Sequence, residues 1–564
     1  MSTSTEPNGL PDTDYLVELA NQFFKTLPDG SSAFLPGGSS PSLPAGVGTT
    51  PAPAQSFDIK DPQVSLPDPH FSDGKVPAAL AGSGRSPDIR TPVQNATPLP
   101  LPDYPSLPHI PQLPFPGADD PAFYFLNEAN PLRALQGVPG SAGSGFTVPV
   151  SGHTALTQPP FDVELIKKDF PILRERVNGR PLVWLDNAAT TQKPQLVIDR
   201  IAHFYEHENS NIHRAAHELA ARATDAYEGA RKKVQQFLNA GSPNEIVFVR
   251  GATEGINLVA KSWGEQFLGP GDEIIVSHLE HHANIVPWQQ LAARKGAKLK
   301  VIPVDDNGQI LLDEYAKLLT SRTKLVSITQ VSNALGTIVP VKQVVAMAHA
   351  AGAKALVDGA QSVSHMPVDV RDLDADWFVF SGHKVFAPTG IGVVYGKEEL
   401  LNETQPWQGG GNMIRDVTFE HTEYQSAPGR FEAGTGNIAD AVGLGAAIDY
   451  VSRIGMDRID QYEHYLLAYA TKLLKEVPGL RLIGTAPDKA SVLSFVLDGF
   501  TNDQVGQALN REGIAVRTGH HCAQPILRRF CLESSVRPSL AFYNTCSDVL
   551  ALISVLQRLR SGRR

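Results

Sequence analysis

The chain has 564 residues, of which 42% are hydrophobic and 19% charged, and its formal net charge is -10. That length allows two or more domains around a large core, and the composition suits a water-compatible globular protein. The acidic balance disfavours nucleic acid as the main partner, because phosphate binding needs a basic face.

Read in chain order, Met1–Leu10 is polar and lacks a basic stretch followed by an apolar one, so no signal peptide is expected. The first 160 residues hold 28 of the 44 prolines, with Gly, Ser and Ala filling much of the rest. Proline removes a backbone donor and glycine adds entropy to the unfolded chain, so residues 1–160 are expected to be a disordered extension. Two apolar islands interrupt it. Tyr15, Leu16, Leu19, Phe23 and Leu27 fall at helical spacing behind a capping Asp14, and Ala122–Ala129 is a second, aromatic cluster. Such islands either dock to another protein or pack against the enzyme itself.

From Phe161 the pattern becomes globular. β-rich runs at Glu245–Val249, Glu273–Val276, Lys324–Ile328, Ala355–Val357 and Trp377–Phe380 alternate with helical stretches. This predicts an α/β fold with a mostly parallel, doubly wound sheet, whose ligands bind at the carboxyl ends of the strands. No run of about 18 apolar residues occurs, so no membrane span is expected.

The chemically suggestive residues sit at those strand ends. Lys384, in Ser381-Gly-His-Lys384, follows a buried strand where desolvation would make its amine reactive. Asp358, in Asp358-Gly-Ala-Gln361, is placed to pair with a cationic ring nitrogen or simply to cap the next turn. Arg250-Gly-Ala-Thr-Glu-Gly-Ile-Asn257 opens a helix whose free N–H groups could hold a phosphate, and it lacks the P-loop pattern. Glu280-His-His-Ala-Asn284 offers an imidazole for stacking or proton transfer. No metal site is expected. Three cysteines occur, Cys522, Cys531 and Cys546, too few and too odd for a disulfide framework, which points to a reducing cytosol. In Arg517-Thr-Gly-His-His-Cys-Ala-Gln-Pro525, the neighbours Arg517, His520 and His521 would favour a Cys522 thiolate on an accessible loop. Cys531 and Cys546 read as small core residues.

Together these motifs resemble a SUF-type (SufS group) cysteine desulfurase of the class V aminotransferase-like, fold-type I family. Leu185-Asp-Asn-Ala-Ala-Thr-Thr-Gln-Lys-Pro194, Asn211-Ile-His-Arg214, the extended Glu280–Trp288 segment and Phe431-Glu-Ala-Gly-Thr435 complete the likeness. The resemblance implies a pyridoxal-5′-phosphate (PLP) enzyme acting on L-cysteine. Residues 161–430 would form an arm and PLP-binding large domain, and 431–564 a small α+β domain carrying the cysteine loop. Lys384 would hold the cofactor covalently and move protons, and Asp358 would pair with its ring nitrogen. Gln361 and Asn333 would contact its ring oxygen and the substrate region, and His281 would stack on the ring. Thr253, Ser381 and His383 would bind the phosphate. Arg537, with Arg517 nearby, would take the substrate carboxylate, and Cys522 would receive the sulfur as a persulfide. His213, Arg214 and Thr435 would complete the site across a homodimer interface. The sequence departs from the family pattern at Ala252, Ala387, Gly436 and Pro538; the last loosens the placement of Arg537.

The short cysteine loop implies a SufE- or SufU-like sulfur acceptor. The extension resembles the cargo-loading region of desulfurases packaged in family 2 encapsulin shells, which would place the enzyme inside a cytoplasmic nanocompartment. Selenocysteine lyase and a catalytically silent shell scaffold are the alternative readings.

Overall fold

A computed structural model describes residues 160–213 and 216–562; the two apolar islands and Arg214 lie outside the described residues. The chain enters through α1 (Val163–Lys168), capped by Asp162, and the short strand β1 (Val183–Trp184). Two long helices follow, α2 (Gln195–His207) and α3 (Glu218–Phe237). The large domain then alternates β2 (Ile246–Val249), α4 (Ala252–Val259), β3 (Glu273–Ser277), α5 (Val286–Lys295), β4 (Lys298–Ile302) and β5 (Thr323–Thr329). It continues with α6 (Val341–Ala350), β6 (Lys354–Asp358), β7 (Trp377–Ser381) and β8 (Gly392–Gly396).

These strands form one seven-stranded sheet in the order β2-β8-β7-β6-β5-β3-β4. The pairings from β7 through β4 are parallel, and β8 runs antiparallel to both β7 and β2. Every residue of β7 and β8 is buried, as expected of strands covered on both faces. All five strands expected from the β-rich runs are present: β3 and β7 run one residue longer than read, β5 and β6 two residues longer, and β2 starts one residue later. Two were not anticipated. In β4 the apolar residues are diluted by Lys298 and Lys300, and β8 is bounded by glycines. Gly392 of β8 is required sterically: a Cβ there would sit 2.5 Å from the Gly251 Cα, so this close approach lets α4 begin against the end of β7.

After the large sheet come α7 (Ile438–Ile454), which packs on α2 and α3, and α8 (Met456–Lys475). The remaining elements are β9 (Leu480–Leu482), β10 (Phe495–Leu497), α9 (Asn502–Arg511), β11 (Ile514–Ala515), β12 (Arg517–Gly519), α10 (Gln524–Arg529), β13 (Ser535–Arg537) and α11 (Cys546–Ser561). The strands β9-β10-β13-β12 make a small antiparallel sheet. The N-terminal arm is sewn onto this region. Strand β1 pairs in parallel with β11, and Lys167 of α1 forms an ion pair at 3.0 Å with Asp548, the acid of the α11 capping box. The arm therefore carries Leu185–Pro194 between the two sheets.

Among the described residues, no helix is long and apolar enough to cross a membrane, and no cluster of His, Cys, Asp and Glu could hold a metal ion.

Candidate active site

A cavity of ≈ 180 Å³ opens at the carboxyl ends of β5, β6 and β7. Its walls include Lys384, Asp358, Gln361, His281, Thr253, Ser381, His383, Asn333, Arg517, Arg537 and Cys522, so eleven of the residues singled out in the sequence meet in one place. The topology explains this. Asp358 is the last residue of β6, Ser381 the last of β7, and Thr253 lies in the first turn of α4. The Ala252 N–H donates to Ser381 Oγ at 2.9 Å, fixing the helix N-terminus to the strand end.

The turn bearing Lys384 is pinned from outside the large domain. The His383 carbonyl accepts from the Thr191 N–H at 3.0 Å, Thr190 Oγ1 at 3.0 Å and Lys193 Nζ at 3.3 Å, while the Phe386 N–H donates to Thr191 Oγ1 at 2.8 Å. Lys384 faces the cavity but is otherwise enclosed by protein. Burial lowers its pKa to about 8, against the pull of Asp358, and neighbouring Arg537 lowers it further. Much more free amine therefore exists near neutral pH than for a surface lysine. Asp358 is 4% exposed. Burial raises its pKa; the Ala360 N–H, which its Oδ1 accepts at 2.9 Å, and Lys384 pull it back down.

His281 accepts the Ala283 N–H on Nδ1 at 3.0 Å, which leaves Nε2 to carry the proton. Burial, reinforced by Lys384, His282 and Arg537, lowers its pKa to about 3, so the ring is neutral. Behind it lies a buried polar network that the sequence did not reveal. Glu280 is fully buried and accepts from Ser277 Oγ at 2.5 Å, Asn284 Nδ2 at 2.6 Å and the Thr329 N–H at 3.1 Å. Asn284 in turn accepts from Trp288 Nε1 and Ser327 Oγ. Burial raises the Glu280 pKa from 4.5 to about 8 despite these donors. Between those values the folded protein holds a proton that the unfolded chain releases, so this group's stabilisation is lost as pH rises from about 4.5 through about 8. Glu280→Gln removes that dependence. The wild-type melting temperature should therefore fall relative to the variant by a few degrees between pH 5 and pH 9. Thermal unfolding at both pH values checks this, and parallel profiles would contradict it.

The cysteine loop joins β12 to α10. His521 and Cys522 both adopt left-handed backbone angles, φ 54 and 53, a conformation that costs side-chain-bearing residues about 1–3 kcal/mol each. Contacts from the large domain hold it. Asn333 Nδ2 donates to the His521 carbonyl at 2.6 Å, and the His282 N–H donates to the Cys522 carbonyl at 2.8 Å. Within the loop, the Cys522 N–H donates to His520 Nδ1 at 3.0 Å, and the His520 and His282 rings stack. One expectation needs correction. His521 does not make the thiol's surroundings basic: burial, with Arg537 beside it, lowers its pKa to about 3, so it is neutral. The positive charge on the cavity wall comes from Lys384, Arg517 and Arg537. A second correction concerns Cys531, which is exposed at the end of α10 rather than in the core; Cys546 is half-buried, its Sγ 3.9 Å from Tyr465 Oη.

Arg537 is 2% exposed at the end of β13. Its Nη2 donates to Asp186 Oδ1 at 3.1 Å and its Nη1 to the Asn333 carbonyl at 2.9 Å, while Arg517 Nε donates to Asp186 Oδ2 at 3.2 Å. Burial lowers the Arg537 pKa to about 10, against the pull of Asp186. Asp186 is thus a site residue that sequence reading quoted within a motif but gave no role. Its partners lie 331 and 351 positions away, a separation no local pattern displays.

His213 and Thr435 are placed elsewhere. Neither lines the Lys384 cavity; Thr435 borders a separate surface pocket with Asn211, whose Oδ1 is 3.5 Å from Thr435 Oγ1. His213, at φ 67, pairs with Glu228 at 3.0 Å. Glu228 bonds Arg231, which forks onto Glu432 at 2.8 and 2.9 Å, so one buried charge network anchors both loops.

Residues 183–552 match the Aminotransferase class-V family. The chain belongs to the class-V aminotransferase family. As a member of it, the chain is similar to a cysteine desulfurase of Synechococcus elongatus, 57% identical over 553 residues that cover 92% of this chain and 88% of that one. A probable cysteine desulfurase 1 of Mycobacterium leprae is 51% identical over 99% of this chain and 88% of its own length. Among solved structures, the cysteine desulfurase CsdA of Escherichia coli superposes with a TM-score of 0.67 at 40% identity, covering 71% of this chain and 99% of that one. The fold is accordingly that of the fold-type I, PLP-dependent class-V enzymes, with a mostly parallel sheet.

The cavity fits that cofactor. Asp358 is a buried acid whose carboxylate has one hydrogen-bonded partner among the described residues, the Ala360 N–H, which leaves room for a cationic ring nitrogen. Asn333 Oδ1 and Arg537 Nε are buried without a partner among the described residues. The start of α4, with Thr253, Ser381 and His383 around it, supplies donors suited to a phosphate.

Proposed function

We propose that this class-V enzyme is a SUF-type cysteine desulfurase that converts L-cysteine to L-alanine and keeps the sulfur as a persulfide on Cys522. The observation that carries the reading is that Lys384, Arg537 and Cys522, from three separate stretches of chain, wall the same cavity. PLP, when bound, supplies the electron sink that weakens the bonds at the substrate Cα and Cβ. Asp358 would keep the ring nitrogen protonated, and Thr253, Ser381 and His383 would take the phosphate. Gln361, fixed by donating to the Ala188 carbonyl at 2.7 Å, and Asn333 would border the ring. Lys384 would hold the cofactor and move a proton at the substrate Cα. His281, neutral and protonated at Nε2, would stack on the ring. Arg537 would hold the substrate carboxylate, and Cys522 Sγ would attack the substrate sulfur: the new S–S bond forms as the Cβ–S bond breaks, the electron pair of that bond stays on the substrate carbon, and protons taken up there give alanine while the sulfur remains on Cys522.

Arg537→Lys keeps a cation but loses the planar fork, so it should raise KM for L-cysteine at least about tenfold. Steady-state alanine formation measures this; an unchanged KM would remove Arg537 from the substrate site.

Two finer readings accompany this. His213, Arg214 and Thr435 would serve the partner subunit's cavity in a homodimer, which suits the surface position of His213 and Thr435. The first 160 residues would load the enzyme into an encapsulin shell, with a SufE- or SufU-like protein or the compartment itself receiving the sulfur. In support, the Synechococcus and Mycobacterium relatives align over 92% and 99% of this chain, whereas a cysteine desulfurase of Pectobacterium atrosepticum aligns over 71%. Deleting residues 1–160 should leave PLP binding and dimerisation intact and abolish co-purification with a co-expressed shell. Undiminished co-purification would refute the loading role.

A further inference from the structure

The far side of α8 carries a groove of ≈ 460 Å³ that the catalytic reading does not use. Leu467, Leu482 and Leu493 give it apolar walls, and Lys472, Lys475 and Lys489 border it. Lys472 and Lys475 are exposed. Lys489 is half-buried, and its Nζ donates to the Gly484 carbonyl. Burial alone lowers its pKa to about 8, and no carboxylate offsets that. A half-buried ammonium without a carboxylate partner among the described residues, beside two exposed ones and leucine walls, suits a ligand that is apolar in its middle and acidic at its ends.

The chain itself contains such a segment. Residues 119–128 read Asp-Asp-Pro-Ala-Phe-Tyr-Phe-Leu-Asn-Glu, and no Lys, Arg or His occurs between His109 and Arg133. The place where the described chain begins favours this occupant. Arg458 of α8 donates to the Pro160 carbonyl, and the Phe161 ring lies 5.2 Å from that of Tyr462. The described chain thus begins beside the N-terminal half of the same helix that walls the groove. From Tyr462 to Thr471 is about 14 Å of helix. A flexible chain of the length of the 31 residues between Glu128 and Pro160 would span about 30 Å, which would give a tethered segment an effective concentration in the millimolar range.

We propose that the segment Asp119–Glu128 docks into the groove between α8 and the β9–β10 region of its own chain, its aromatic residues against the leucines and its acids on Lys472, Lys475 and Lys489. The proposal does not depend on the shell reading; it leaves the helical island around Tyr15–Leu27 as the segment free to bind elsewhere.

The test uses the full-length holoenzyme with a photo-cross-linking residue, Tyr124→p-benzoylphenylalanine. Peptide mapping should find the cross-link on residues 467–493. Lys472→Glu with Lys475→Glu should lower its yield about fivefold, the effect of roughly 1 kcal/mol from exposed charge pairs. Adding Asp119→Lys and Asp120→Lys should restore it. Both lysines are surface residues remote from the cavity, so alanine formation should not change and serves as the folding control. Mixing isotopically light and heavy copies identifies the occupant, and cross-links joining the two labels would overturn docking within one chain. Cross-links outside the groove, or a yield indifferent to both charge reversals, would overturn the site.

Discussion

Lys384→Ala is expected to lower alanine formation from L-cysteine by at least about 10³-fold, the scale on which loss of a nucleophilic side chain reduces turnover. The loss has two parts. No other amine among the cavity-lining residues can hold the cofactor covalently, and no other group there can both release it and move a proton at Cα. The variant should still fold, because the turn is held through the His383 carbonyl and not through the lysine side chain. Asp358 and the start of α4 should still retain PLP without a covalent link. Borohydride treatment would therefore fix cofactor to wild-type enzyme and not to the variant. The lowered pKa adds a pH signature. In cofactor-free wild type, the rate of covalent PLP capture should rise with pH as the free amine forms, with a midpoint near the lysine's value of about 8. A midpoint near 10.5 would mean that burial does not tune this amine.

Cys522→Ala should be nearly as damaging for L-cysteine, by about 10²–10³-fold, yet leave covalent cofactor binding untouched. The cysteine acts at the other end of the reaction, on the sulfur. A thiolate there also favours the charged forms of Lys384 and Arg537, so its electrostatic influence reaches both. The loop supports the role by restraint: Asn333 and His282 hold the backbone on either side of the thiol, so Cys522 cannot swing far from the cavity. A protein acceptor would then have to come to it. Activity with selenocysteine should survive better in this variant, because selenium leaves more readily than sulfur. Full retention of activity with L-cysteine in this variant would remove Cys522 from the mechanism.

Much of this was legible in the sequence because the site is built from strand ends. Asp358 and Ser381 each close an apolar run, and Thr253 and Lys384 follow one closely, so a periodicity argument places them at one edge of the sheet. What was not legible depends on contacts between distant stretches. Asp186 gains its meaning only when β1 pairs with β11 and brings it to Arg517 and Arg537. Thr190, Thr191 and Lys193 matter because the arm crosses to the Lys384 turn. Glu280 has no role readable from its place before two histidines, and only its burial among Ser277, Asn284 and Thr329 gives it one. His521 misled for the same reason: adjacency to a cysteine suggested charge, while burial and the neighbouring Arg537 make it neutral. The antiparallel strand β8 has no signature distinct from its parallel neighbours, since direction is set by connection and not by composition.

The most direct measurement is mass spectrometry of the three cysteine-containing peptides after the holoenzyme has met limiting L-cysteine without any acceptor, together with the alanine released. One added sulfur on the Cys522 peptide, with alanine in equal amount and with Cys531 and Cys546 unmodified, is the predicted result. Alanine formed while Cys522 stays unmodified, or sulfur found on Cys531 instead, would contradict the account in which Lys384 and Cys522 act on the same substrate molecule.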